Sequence, residues 1–119
     1  MKIAVSATGK HKDSALDKRF GRCEYFQIYD LETKELKVVE NEGAKSSGGA
    51  GIAAASQVIE EGVNIIITGD LGPNAYELVE KAGIKAYRCE VLPILQAIEM
   101  YQKKQLSEIS MAGNAHHGL

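Results

Sequence analysis

No tryptophan occurs in the chain, and its five tyrosines and two phenylalanines form no run on which bases could stack. Basic residues never gather: the densest groups are Lys10–Lys12 and Lys103–Lys104, and the formal net charge is −2. A duplex reader normally presents a cationic face, so nucleic acid is not the expected partner. No apolar segment approaches the length that spans a bilayer, and the opening M-K-I-A-V-S-A is too short for the core of a secretory signal. The expectation is a cytoplasmic protein with no membrane partner. The two cysteines, Cys23 and Cys89, lie far apart and form no C-x-x-C pair. In a reducing cytosol they read as two free thiols rather than a disulfide. The four ligands at defined spacing that structural zinc needs are missing too.

What remains fits one α/β domain. At 119 residues the chain can bury a core without staples. Its centre is Val63–Ala75, V-N-I-I-I-T-G-D-L-G-P-N-A. Asn64–Thr68 is a short β-branched run bounded by turn residues, the pattern of a strand buried on both faces. Gly69, Gly72 and Pro73 end it, and Ala75–Lys81 resumes with helical spacing.

The rest of the chain arranges itself around that strand. Lys2–Ala7, Glu24–Asp30 and Glu35–Glu42 read as strands, the last two joined by a polar turn into a hairpin. Thr8–Arg22 is a long polar loop with a helical turn near Ala15–Lys18. Ala50–Glu61 has helical spacing, with Ile52, Ala55, Val58 and Ile59 on one face and Gly62 at the C-cap. The helix Asn74–Ala82, a strand Ile84–Cys89 and a helix over Leu92–Lys104 follow, the last with Leu92, Leu95, Ile98 and Leu106 inward. The order β-β-β-α-β-α-β-α predicts a mixed five-stranded sheet, 3-2-1-4-5 in space, with strand 2 antiparallel. Residues 1–109 form the domain, and 110–119 make a flexible tail.

This topology collects the Gly-rich loops on the edge where the parallel strands end. Ser47–Gly51 and Gly72–Asn74 each precede a helix, so their main-chain amides could reach an anion or could simply form turns. Neither carries a Walker or dinucleotide fingerprint. Cys23 and Cys89 fall on the same edge, each beside an arginine, and read either as buried small hydrophobes or as soft-metal ligands. His116 and His117 are either a metal hook or solvated, and His11 is equally ambiguous. Asp13, Asp17 and Asp70 form no recognisable catalytic pair, and Ser46 and Ser47 sit in no nucleophile elbow. A ribonuclease-H-type hydrolase would share the element order but needs acidic residues on its strands. Lys2–Ala7 has none.

Four stretches carry a resemblance: D-K-R-F-G-R-C-E-Y-F at 17–26, G-G-A-G-I-A-A-A at 48–55, I-I-I-T-G-D-L-G-P-N-A at 65–75 and A-G-I-K-A-Y at 82–87. Together they resemble the dinitrogenase iron–molybdenum cofactor biosynthesis family, the small NifX-like domains also found at the end of NifB proteins. The resemblance runs from Met1 to about Leu106. It implies a three-layer ribonuclease-H-like fold without nuclease activity, and a non-enzymatic carrier of an iron–sulfur or iron–molybdenum–sulfur cluster or its precursor. Carried across by position, the matching residues are Phe20, Gly21, Arg22, Gly48, Gly49, Gly51, Gly69, Gly72, Pro73 and Asn74. The expected site is therefore Arg22 with the amides of Gly48, Gly49, Gly51, Gly72, Pro73 and Asn74. Cys23, Cys89, His116 or His117 would coordinate metal. Partners would be a cluster donor or acceptor protein, and the chain a monomer or weak homodimer. The alternative is a metal-free regulatory or scaffold module that binds a small anionic ligand or a protein through the same loops.

Overall fold

The computed structural model describes residues 1–110. Strands β1 (Lys2–Ala7), β2 (Tyr25–Asp30) and β3 (Leu36–Glu40) are followed by α1 (Ala50–Glu60) and β4 (Ile65–Thr68). Then come α2 (Pro73–Lys81), β5 (Lys85–Arg88), α3 (Ile94–Gln102) and β6 (Ser107–Glu108). The sheet order is β3-β2-β1-β4-β5-β6, with β1, β4 and β5 parallel and β2 antiparallel to both its neighbours.

The period of two along each strand builds two cores. Ala4, Phe26, Ile28 and Ile66 face one way, onto Ala54, Ala55 and Val58 of α1 and Val79 of α2. Ile3, Val5, Ile65 and Ile67 face the other way, onto Ile94, Ala97 and Ile98 of α3. The result is three layers, helices on both faces of the sheet. All four residues of β4 are buried, as expected of a strand covered on both sides.

Three expectations need correction. The sheet has six strands, not five: Arg88 pairs with Ser107 and Tyr87 with Glu108, antiparallel. Two residues are too few to show alternation, but the Ile109 amide donates to the Ala86 carbonyl at 2.7 Å and its side chain is buried under α2. Ala15 and Leu16 are extended rather than helical, bridging Pro93 and Ala7. Ile52 and Leu95, expected inward, are 44% and 43% exposed. Each lies in the first turn of its helix, on the side turned away from the residue which that turn buries, Ala50 in α1 and Ile94 in α3.

All three helices among the described residues stop in the same hydrogen-bonded turn. The amides of Gly62, Gly83 and Lys104 return to the carbonyls of Ile59, Glu80 and Tyr101, and the next amide reaches one residue further back. The central residue is left-handed in each, φ 76°, 77° and 59°.

Candidate functional site

The parallel strands end on one edge, and a strap from Ser14 to Gly21 crosses it. The Asp17 amide donates to the Ser6 carbonyl at 2.8 Å. Ser6 Oγ donates to the Asp17 carbonyl at 2.5 Å and lies 2.8 Å from Thr68 Oγ1, which ties the strap to β1 and β4. The Asp70 amide reaches the Lys18 carbonyl at 2.7 Å, and Leu16 donates to the carbonyl of Leu92 at 2.8 Å. Gly69 is required here, since a Cβ would overlap the Lys18 backbone. Asp17, within the strap, is buried. Burial raises its pKa, but hydrogen bonds from the Arg19 side chain and amide, with the guanidinium charge, outweigh this and hold it below the usual carboxylate value.

Where the strap meets α1, backbone touches backbone. A Cβ on Gly21 would lie 3.0 Å from the Gly51 nitrogen. Beside this crossing lies a groove of about 240 Å³ between the first turns of α1 and α2. Phe20 and Gly21 line it from the strap, Gly49–Ile52 from α1, and Gly72–Ala75 from α2. Gly49 is the N-cap of α1 with φ 70°, Gly72 is the N-cap of α2, and neither helix has a side-chain cap. The first intrahelical acceptors are taken by Ala53 and Tyr76. The amides of Ala50, Gly51, Ile52, Asn74 and Ala75 therefore have no partner within their helices. Two positive helix ends share one groove.

Of the expected site residues, Gly49, Gly51, Gly72, Pro73 and Asn74 come together here. Gly48 is exposed just outside, with open space around it. Arg22 faces a neighbouring depression and donates from Nη1 to the carbonyls of Ser46 at 2.6 Å and Ala44 at 3.3 Å. Its hydrogen bonds shape the glycine loop. Asn41, passed over in the sequence, does the same from below: Nδ2 reaches the carbonyls of Gly21 and Cys23, and Oδ1 accepts from the Gly43 amide at 2.9 Å. An Asn two residues before a Gly after a strand is an Asx-turn signal, and it was legible.

The thiols do not meet. Cys23 is wholly buried in the α1/α2 core and donates from Sγ to the Phe20 carbonyl at 3.4 Å. Burial above all pushes it up to about 12, so it remains a neutral thiol at ordinary pH. Cys89 is buried on the opposite face against α3, its thiol also raised, by burial and then by the Glu90 charge. His11 is exposed in the first loop, and its carbonyl accepts from Gln27 Nε2 at 2.6 Å. His116 and His117 lie outside the described residues. Among those described, no three His, Cys, Asp or Glu side chains are grouped to hold a metal ion. No described helix is long and apolar enough to cross a membrane.

These features define a three-layer α/β domain with an amide-lined groove at its strand ends. The chain belongs to the dinitrogenase iron–molybdenum cofactor family, whose model matches residues 1–104. The family ties it to iron–molybdenum cofactor biosynthesis or binding. The fold is similar to that of the apo form of the orange protein from Desulfovibrio gigas, with a TM-score of 0.90 and 33% identity over 94% of this chain and 95% of that one. A Thermotoga protein provisionally named NifB, solved by NMR, matches with a TM-score of 0.82 and 34% identity, covering 92% and 94% of the two chains. An uncharacterised protein of Methanocaldococcus jannaschii is 32% identical over 111 residues, 91% of each chain.

Proposed function

We propose that this protein carries an anionic iron–sulfur or iron–molybdenum–sulfur cluster, or a precursor of one, in the groove between the first turns of α1 and α2. The observation that carries the reading is the pairing of two uncapped helix N-termini across one groove of about 240 Å³. Family membership adds the chemical class of the cargo. Such a cluster presents sulfide at its surface, and sulfide accepts hydrogen bonds from amides. The five free N–H groups would hold it as an anion. Phe20 and the Ile52 side chain would shield it from water.

With Cys23 buried and protonated, the cargo keeps its own sulfides as metal ligands, and Cys23 acts in packing. Arg22 contributes positive potential and holds the glycine loop. The role is carriage between a donor and an acceptor protein, not catalysis. Anaerobic purification followed by iron, molybdenum and acid-labile sulfide assays tests it. Loading that falls in Gly51→Leu at unchanged stability supports the groove, because that Cβ points at Ala75 across it, 3.4 Å away. Protein that takes up neither metal nor sulfide after reconstitution overturns it.

The same amides accept any compact anion, and no described metal-ligating cluster restricts them to metal–sulfur cargo. That favours, as a second reading, a metal-free module for a small phosphate-bearing ligand. Stabilisation by inorganic phosphate or a nucleotide, in protein that takes up no iron, would select it.

A further inference from the structure

At the opposite edge of the sheet, on the α3 face, lies a second cavity of about 480 Å³, within the usual range for small-molecule sites. Its walls are mainly Leu31, Leu106 and the rings of Tyr87 and Tyr101, which meet edge-on with centroids 5.0 Å apart. Lys104 lines it, as does Met1, whose α-ammonium pairs with Glu32 at 3.3 Å. The Tyr101 hydroxyl makes only a long contact, 3.9 Å, to Met1 Sδ among the described residues. Burial holds that phenol above its ordinary value, with the Lys85 charge opposing, so it remains a donor.

Two observations about Lys104 bear on this cavity. It occupies the left-handed position that ends α3, where α1 and α2 have Gly62 and Gly83. A side chain there is strained and glycine is not. Lys34 in the β2–β3 turn takes the same left-handed backbone at φ 66°, but among the described helix ends only that of α3 places a lysine there, at the rim of the cavity. Second, Lys103 next to it pairs with Glu99 at 3.8 Å, whereas Lys104 pairs with no carboxylate among the described residues. An ammonium with no carboxylate partner among the described residues thus stands beside an aromatic wall.

We propose that this cavity binds a small planar aromatic carboxylate, its ring against Tyr87 and Tyr101 and its carboxylate on the Lys104 ammonium. Aromatic edges and faces favour a flat ring over an aliphatic chain. The unpaired cation selects an anion. The site shares no residue with the amide-lined groove and stands or falls apart from it.

The probe is 2-naphthoate, with neutral 2-naphthalenemethanol as its control, followed by amide shift changes in the full chain. Expected are saturable shifts around Tyr87, Tyr101 and Leu106, with the carboxylate binding tighter than the alcohol. Lys104→Met, which removes the charge alone, should weaken 2-naphthoate roughly fivefold, the scale of one partly shielded ion pair, and leave the alcohol unchanged. Lys104→Gly should weaken it equally while raising Tm by about 3–5 °C through relief of the strained backbone. Equal binding of the two probes, no saturable shift at these residues, or 2-naphthoate affinity unchanged in both variants overturns the proposal.

Discussion

Gly21 and Gly51 cross so closely that a Cβ on Gly21 would sit 3.0 Å from the Gly51 nitrogen and 3.1 Å from its Cα. The contact is backbone on backbone, so no side chain can rotate away to relieve it. It sets how near the strap lies to α1, and hence the width of the groove.

Gly21→Ala should therefore destabilise the fold by about 1–3 kcal/mol, the cost of overpacking a site that yields only by moving main chain. Urea denaturation measures it. A midpoint equal to wild type would mean the strap moves freely over α1.

Cys23 predicts a pH dependence. Its thiol keeps its proton to about 12 when folded, against an ordinary value of 9.0. The folded pKa is raised, so the contribution is complete below about 9 and is lost as pH rises towards about 12. Above 9 the unfolded chain releases this proton and the folded chain does not, so stability falls, with a ceiling on the order of 4 kcal/mol. Comparing urea midpoints of wild type and Cys23→Ala from pH 8 to 10.5 isolates it. The wild-type curve should fall more steeply.

Asp17 predicts the opposite end of the scale. Its folded pKa is depressed, because the Arg19 bonds outweigh burial, so its contribution is present above the unfolded carboxylate value of 3.8. That contribution disappears as pH falls below 3.8. Asp17→Asn should lose stability at pH 6 and converge on wild type near pH 2. A constant gap across that range would assign the effect to packing.

The β-branched run at β4, the alternation of β1 and β2 and the Gly62 and Gly83 stops made most of the fold legible, because each states its own period or backbone angle. The strap was not legible. Ala15–Lys18 has helix-forming residues, yet Leu16 bonds to Leu92, far away in sequence, and that long-range pairing overrides local propensity. The groove glycines were readable from their place before helices. Burial of Cys23 was not, since a cysteine beside an arginine looks the same whether its thiol faces core or solvent.

β6 supplies another test. Ile109 is 5% exposed, packed with Val79, Ile84 and Ala86 under the short strand. Ile109→Ala should cost about 2–4 kcal/mol, and hydrogen exchange at the Ile109 and Arg88 amides should quicken together. A surface-like loss of under about 0.5 kcal/mol would detach this segment from the core.

Asn74 separates stability from cargo. It lies in the first turn of α2, exposed on the groove wall, and it does not cap the helix. Asn74→Asp puts a negative charge at a positive helix end, which stabilises that helix by about 0.3–1 kcal/mol at low salt. The same charge stands where an anionic cluster would bind and repels it. Thermal unfolding should therefore move up while iron and sulfide uptake moves down. A general folding defect lowers both, and a cargo held elsewhere leaves uptake unchanged. Only occupancy of this groove by an anion moves the two readings in opposite directions.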